Sequence, residues 1–418
     1  MSSPDALDGR LAFLNAGLDE LGCQALLVFA PSAADPDLAV FTGSVHLGES
    51  LLVAPRGERP RLAYLTPMER DEAAATGLLL ITPEELDVLR WTQEAPEPVD
   101  FTAAVTARAL ELAGLSPGRV ALAGHGRVGV LHAVLSRLAR SGWSWVPAND
   151  LLTGLRKGKV AGELAAIRAA AAGTVEAFRT VARLLAAAGL RAGEGDELWL
   201  EGERLTVARL RAEVARTLAG FGLEQPRGNI IAPGEEGGVP HSTGTQERVL
   251  RAGESLVVDL FPRGTLFADC TRTFCVGTPP EPLARAHAAV LAALRAAHAG
   301  ATAGATSTIR GWDLQEAVCH SLGDAGYPTP ISHPGTTRGY VHNLGHGVGF
   351  ELHEQPIFKK VAGREGVLAH GDVFTLEPGL YDPEAGYGVR LEDLVHLTPG
   401  GLENLTPLPY DLDPRAWG

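Results

Sequence analysis

Four carboxylates stand inside segments that otherwise read as apolar strands. Asp259 interrupts LVVDLF, Asp269 lies within LFADCTRTF, Glu377 closes VFTLE and Glu392 follows GVRL. Aspartate is a poor strand former, so two of them in one hairpin call for an explanation. Folding residues 255–277 about Gly264 sets Asp259 opposite Asp269, where directly opposed Cβ atoms lie about 4.5–5.5 Å apart. Folding residues 373–398 around Glu384 and Ala385 sets Glu377 opposite Glu392 in the same way. Carboxylates held that close repel each other unless a cation or a proton lies between them. An oxygen-dominated set of this kind, with an imidazole nearby, suits two divalent ions sharing ligands. A closed structural zinc site would instead favour cysteine and histidine.

The imidazole comes from VHNLGHGVGFELHEQP (341–356), which holds His342, His346 and His353. Spacing of four between the first two would place both on one helical face. However, Gly345, Gly347 and Gly349 each cost a helix roughly 1 kcal/mol relative to alanine. Residues four apart also share a face in an extended chain, and small residues there permit close approach of backbone and substrate. His353 has the opposite parity, so a bulge or turn near Gly349 is required if it reaches the same site.

These segments need a scaffold. A chain of 418 residues is too long for one ordinary core, which predicts two domains. Residues 1–155 alternate amphipathic and short apolar segments (ALLVFA, SLLVAP, RLAYLT, RVALAG, WSWVP), the pattern of an α/β layer. Beyond LLTGLRKGK the texture changes. A long alanine-rich helix is expected from Val160 to about Leu190 and a second from about Asp196 to Leu218. Strand and hairpin signals then dominate residues 156–418, interrupted by helices at PLARAHAAVLAALRAAHAG and WDLQEAVCHSLGDAG.

Composition narrows the function. The net charge of −14 argues against nucleic acid or an anionic membrane as partner. Four cysteines are too few for a disulfide framework, and neither a secretory signal nor a membrane span is expected, which points to the cytoplasm. GHGRVG (124–129) matches a dinucleotide-binding turn in letters, but its unit comes late in the layer and reads as a tight strand-to-helix turn. GLSPG (114–118) matches a nucleophile elbow, yet the helix precedes it and the strand follows, so it reads as a loop.

The ordered set Asp259, Asp269 in DCTRT, His346 in GHGVG, Glu377 in LEPGLY and Glu392 in VRLED resembles the pita-bread metallopeptidase family. That family includes prolidase, Xaa-Pro aminopeptidase, methionine aminopeptidase and metal-free creatinase. DPDLAVFTGSV and LLTGLRKGKVAGELAAIRAA are similar to its N-terminal domain and the start of its catalytic domain. The resemblance implies a creatinase-like α/β N-terminal domain (1–155) followed by an α+β pita-bread catalytic domain (156–418). The large N-terminal domain favours the proline-directed branch, and the intact ligand set disfavours the creatinase branch. The sequence departs from the family in two places. The aspartates are ten apart instead of eleven, and Ser242 follows His241 where an aromatic is common.

The resemblance also implies a division of labour. Asp259, Asp269, His346, Glu377 and Glu392 would hold two divalent metal ions, manganese first, with zinc or cobalt as alternatives. Asp269 and Glu392 would bridge the ions, and a metal-bridging hydroxide would be the nucleophile. Glu377, His353 and His342 would be the catalytic residues: Glu377 would move the proton, His353 would steady the oxyanion, and His342 would also line the substrate pocket. His241 and Arg390 are expected on the substrate side. Arg390, on the same strand face as Glu392, would either hold a metal carboxylate from behind or grip a substrate carboxylate. Arg338 and Tyr387 lie near enough to touch substrate, and the other nine histidines are expected to be structural. The expected activity is hydrolysis of Xaa-Pro bonds, foremost in dipeptides (a prolidase). An Xaa-Pro aminopeptidase acting on longer peptides is the alternative, and a non-catalytic peptide-binding member or a dinucleotide-dependent enzyme comes after it. A homodimer is expected by analogy with the family.

Overall fold

ALLVFA, apolar throughout, forms the strand Ala25–Ala30, every residue of which is buried. It is parallel to Arg119–Gly124 on one side and antiparallel to Ser50–Pro55 on the other. Arg61–Tyr64 and Leu79–Ile81 extend the sheet beyond Ser50–Pro55, and Ser144–Pro147 extends it beyond Arg119–Gly124, giving six strands. A strand that buries both faces reads as a continuous apolar run, which is why ALLVFA does not alternate. Leu27, Phe29, Val53, Val120, Val134 and Leu138 form one core with the helices Pro98–Leu112 and Val128–Ala139. Each fully buried aliphatic or aromatic side chain there contributes about 1.5–3 kcal/mol of transfer free energy.

The computed structural model describes residues 4–32, 34–303, 307–360 and 366–417. The chain divides into two units, Met1–Arg156 and Lys157–Gly418.

The second unit opens with the helix Ala161–Ala187. The helix expected over about Asp196–Leu218 forms only in its second half, as Val207–Gly220. Strands Leu198–Leu200 and Glu203–Arg204 pair across a turn in which Glu201 and Gly202 have positive φ (53° and 85°), and the helix begins only at Val207. Thr206 sets that start, its hydroxyl accepting from the Arg209 N–H at 3.3 Å.

Three further sheets position the acidic segments. Ile230–Pro233, Leu256–Leu260 and Cys270–Phe274 form one antiparallel sheet. Glu354–Ile357, His346–Gly347, Val373–Leu376, Asp393–Thr398 and Gly401–Asn404 form a second, in that order. Gly379–Asp382 pairs with Tyr387–Arg390 in a small third. The helices Glu281–Ala303 and Gly311–Asp324 cover them, burying Leu283, Val290, Leu294, Leu314, Val318 and Leu322 in a core shared with Phe374, Leu376, Val389 and Val395. No helix among the described residues is long and apolar enough to cross a membrane. All four cysteines are buried and free.

Candidate metal centre

Asp259 lies on Leu256–Leu260, but the expected pairing with Asp269 is shifted. Asp259 faces Thr271, and Leu260 faces Cys270. The turn is centred on Thr265 instead of Gly264, because Arg263 bridges to Phe267 and the Ala268 N–H bonds the Pro262 carbonyl at 3.0 Å. Since strand side chains alternate with period two, a register change of two positions keeps both aspartates on one face. They become diagonal neighbours there, with Thr271 between them.

The second hairpin forms as its spacing predicts. Leu376 pairs with Asp393 and Gly379 with Arg390, one continuous register that places Glu377 across from Glu392. Between those pairs the ladder opens. The Glu377 N–H bonds the Leu344 carbonyl (2.7 Å), and the Glu392 N–H bonds the Thr271 carbonyl (3.0 Å). These two bonds draw the histidine segment and the aspartate hairpin onto the glutamate pair.

His346 occupies a two-residue strand, His346–Gly347, with a bulge between its residues. The glycines make this possible. A Cβ at Gly345 would lie 2.0 Å from the Thr375 carbonyl oxygen, and one at Gly347 1.9 Å from that of Gln355. The close approach is therefore backbone to backbone within the sheet. The His346 Nδ1 faces the Gly347 carbonyl at 3.2 Å, which leaves Nε2 turned to Glu377 Oε1 (3.4 Å) and Asp269 Oδ2 (3.6 Å). Burial, then the neighbouring His353, holds the His346 imidazole down at about 3, so the ring is neutral and directs a lone pair at two carboxylates.

Residues 349–353 bend between the two strands, and the His353 ring comes edge-on to His346 with centroids 4.1 Å apart. His342 is placed differently. Its Nδ1 donates to the Asn343 carbonyl (2.7 Å), and its Nε2 accepts from the Tyr381 hydroxyl (2.8 Å), which in turn accepts from Arg390 Nη1 (2.9 Å). Burial, then the charge of Arg390, lowers its imidazole to about 4. With both nitrogens occupied, His342 offers the site a fixed ring and no free catalytic nitrogen. Exposed His241 lies close enough to disfavour a proton on both His342 and His353.

Arg390 is 4 % exposed. Its guanidinium donates to Asp259 Oδ2 (2.7 Å), Thr271 Oγ1 (3.1 Å), the Tyr381 hydroxyl and the Pro240 carbonyl (3.3 Å). Of the two roles left open by the sequence, this geometry fits holding Asp259 from behind, with four of the five guanidinium N–H groups donated inside the protein. Tyr387 is buried in the core, and Arg338 is ion-paired with Glu384, so neither faces this centre.

The electrostatics are those of a cation site. Burial, reinforced by mutual repulsion, pushes Asp269 and Glu377 well above the usual carboxylate range and Glu392 up to about 8. Asp259 Oδ1 and Asp269 Oδ1 are buried with no hydrogen-bond partner. Ligand atoms of Asp269, His346 and Glu392 all lie within 4.8 Å of one another. Four carboxylates, a neutral imidazole and two orphaned acceptor oxygens fit divalent cations as their missing partners.

Several supporting residues carry no local sequence pattern. Arg272 and Asp393, both fully buried, pair at 2.7 Å behind Glu392, and Asp393 also accepts from His298 (2.8 Å) and Tyr410 (2.5 Å). The Thr271 hydroxyl donates to Glu392 Oε2 at 2.6 Å. Lys159 pairs with Glu354 at 2.7 Å with both side chains fully buried, anchoring the start of the strand that follows His353. Their only sequence signal is adjacency, Thr271 and Arg272 within DCTRT and Asp393 after Glu392.

In the N-terminal unit, Asp35, Asp37 and His125 also gather ligand atoms within 4.8 Å. There Asp35 Oδ1 accepts from the Asp37 and Leu38 N–H groups and Oδ2 meets His125 Nδ1 (2.7 Å). Asp37 accepts from Arg156 (3.0 Å) and from the Gly124 N–H (3.0 Å). GHGRVG is thus a strand-to-helix turn fixed by two aspartates.

The sequence profile of metallopeptidase family M24 matches residues 165–399, more than half of the chain and all five of the acidic and histidine residues above. The chain belongs to metallopeptidase family M24. It is 32 % identical over 211 residues to a probable dipeptidase PepE of Mycobacterium tuberculosis, covering 50 % of this chain and 51 % of that one. It is 34 % identical over 219 residues to an Xaa-Pro dipeptidase of Pyrococcus furiosus, covering 50 % and 57 %. The matched stretch thus spans about half the length of these curated M24 relatives. The prolidase structure from Pyrococcus horikoshii superposes with a TM-score of 0.73 at 21 % identity, covering 97 % of this chain and 99 % of that one. That likeness shows the shared fold, an α/β domain followed by the α+β pita-bread domain.

Proposed function

We propose that this protein is a metal-dependent peptidase that hydrolyses Xaa-Pro bonds, dipeptides foremost, using two divalent ions held by Asp259, Asp269, His346, Glu377 and Glu392. The observation that carries the reading is the convergence of four carboxylates on one neutral imidazole, with two buried carboxylate oxygens lacking any partner. The names of the M24 relatives, dipeptidase and Xaa-Pro dipeptidase, support the substrate class.

Divalent cations held there would supply Lewis acidity, polarising the scissile carbonyl and lowering the pKa of water. The remaining chemistry is assigned to the chain's own groups. Glu377, ionised when cations are held beside it, takes the proton of the attacking water on its carboxylate and delivers it to the departing proline nitrogen. His353, with an open face beside His346, donates to the oxyanion. His342, held by Tyr381 and Asn343, lines the pocket, and His241 stands at its mouth. Arg390 holds Asp259 in place from behind.

Manganese is the first metal to test, with zinc and cobalt beside it, because oxygen-rich sites bind according to availability. A homodimer and a cytoplasmic setting complete the proposal. Purified protein assayed on Xaa-Pro and Xaa-Pro-Xaa peptides, with each metal and with chelator, tests it. Chelator-sensitive dipeptide cleavage is the expected result. Turnover of tripeptides with little of dipeptides would move the assignment to an Xaa-Pro aminopeptidase, and the absence of bound metal would sink both.

A further inference from the structure

His353 is exposed, and among the described residues its ring makes no hydrogen bond or ion pair. The contact it does make is edge-on with the His346 ring, at 4.1 Å between centroids. An imidazole without bonds of its own takes its place from the main chain that carries it. That main chain is the bend at residues 349–353, so whatever fastens the bend aims the ring.

At the start of the bend, the Gly349 carbonyl accepts from the Phe267 N–H (2.9 Å), on the hairpin that leads into Asp269. The Gly349 N–H donates to the Glu351 carbonyl (3.0 Å). At the end of the bend, Glu354 pairs with Gly347 in the sheet, and its side chain folds back. Its Oε2 accepts from the Glu351 N–H (3.3 Å) and its Oε1 from Lys159 Nζ (2.7 Å). Lys159 is anchored at both ends. Its N–H bonds the Gly371 carbonyl (2.9 Å), and Nζ also donates to the Lys157 carbonyl (3.1 Å). Gly349 is where this pair meets the bend. A Cβ there would lie 2.3 Å from Glu354 Oε1 and 2.6 Å from Lys159 Cε. The ion pair is thus the post around which the chain turns to present His353. Desolvation offsets the attraction in a buried ion pair, which makes it a poor source of stability and points to a geometric use.

We propose that Lys159 and Glu354 are positioning residues, holding the bend so that His353 stands over the centre where it can meet the oxyanion. What His353 does there rests on the peptidase reading above. Both side chains of the pair are fully buried, so they act through the bend and not on substrate.

The test is a double-mutant cycle on the full-length, manganese-loaded protein with Ala-Pro as substrate. Lys159→Met should lower kcat by about 10–100-fold, the cost of a misplaced catalytic group, with KM and metal content near those of wild type. In the His353→Ala background the same substitution should lower kcat by less than about twofold. Equal falls in both backgrounds, or no fall in the first, overturn the proposal. Removing one partner of a buried pair can unfold a protein, whereas apolar replacement of the whole pair is far better tolerated. Lys159→Met/Glu354→Met is therefore carried through the same cycle and judged by the same outcomes. If wild type hydrolyses no Xaa-Pro peptide, the peptidase reading fails on its own, and NMR of the metal-free protein with labelled histidine decides the placement. The His353 ring signals, assigned with His353→Ala, should lose their cross-peak to the His346 ring when the pair is replaced. A cross-peak that persists overturns the proposal.

Discussion

Asp35, Asp37 and His125 in the N-terminal unit bring ligand atoms as close together as Asp269, His346 and Glu392 do in the C-terminal unit. By residue type the two groups are equivalent. They differ in what surrounds the oxygens. Each carboxylate oxygen of Asp35 and Asp37 meets a backbone N–H, an arginine or a histidine, so that group caps a helix and pins a turn. In the C-terminal group, Asp259 and Asp269 each keep an orphaned oxygen, and burial, then neighbouring carboxylates, raises the pKa of Asp269, Glu377 and Glu392. Unmet acceptors in a buried place are costly. Their persistence therefore marks a site that expects a ligand, whereas proximity of acids alone does not.

The sharpest way to break that contrast is to remove Asp269. In Asp269→Ala, Xaa-Pro hydrolysis should fall by about 10³-fold or more, roughly 4 kcal/mol of transition-state stabilisation. Metal content should fall with it while circular dichroism stays native. Retained metal and activity would make the two groups equivalent after all.

The pH dependence of the chelated protein comes next in size. The folded pKa values of Asp269, Glu377 and Glu392 lie above their unfolded values. Their contribution to stability is therefore complete below about pH 4.5 and is lost as pH rises through the folded value, about 8 for Glu392. Thermal melts in chelator should show stability falling by about a few kcal/mol between those limits. Manganese should restore the loss at pH 8 more than at pH 5. A chelated protein whose melting temperature is flat or rises over this range would contradict the electrostatic account.

Arg390→Lys probes the support behind Asp259. A lysine cannot reproduce the bonds to Asp259, Thr271, Tyr381 and Pro240 together, so activity or metal affinity should drop by about 10–100-fold. Titration with manganese, followed by activity, measures it. Asp35→Ala should have the smallest effect. Losing the helix cap should cost about 0.5–2 kcal/mol in denaturant unfolding, with metal content unchanged. Lost metal in that variant would assign the N-terminal group a ligand role.

The clustered acids were legible because polar side chains inside apolar runs stand out, and the register of the second hairpin because Glu377 and Glu392 lie symmetrically about Glu384 and Ala385. The first hairpin was misplaced by two positions, since Pro262 and the Arg263–Phe267 bridge fix a turn that propensity alone does not locate. The helix expected over Asp196–Leu218 begins only at Val207, because nearly the first half of that span is spent on a two-strand turn at Glu201 and Gly202. Supporting residues were harder to see. Lys159 meets Glu354 across 195 positions, and Tyr381 acts through a neutral hydroxyl that no charge pattern announces. The inward turn of His353 was legible as a requirement, because its parity opposed that of His346. The full occupation of both His342 nitrogens was not.

One register runs through both sheets on either side of Glu377 and Glu392, and the four residues Pro383–Gly386 that close it lie beyond the last pair, Asp382 with Tyr387. Lengthening or shortening that closing loop leaves the glutamates facing each other. A single residue inserted between Leu376 and Gly379 would instead rotate Glu377 to the opposite face. The hairpin tip is thus free to drift over evolutionary time, while a three-position window beside the acids tolerates substitution but no change of length.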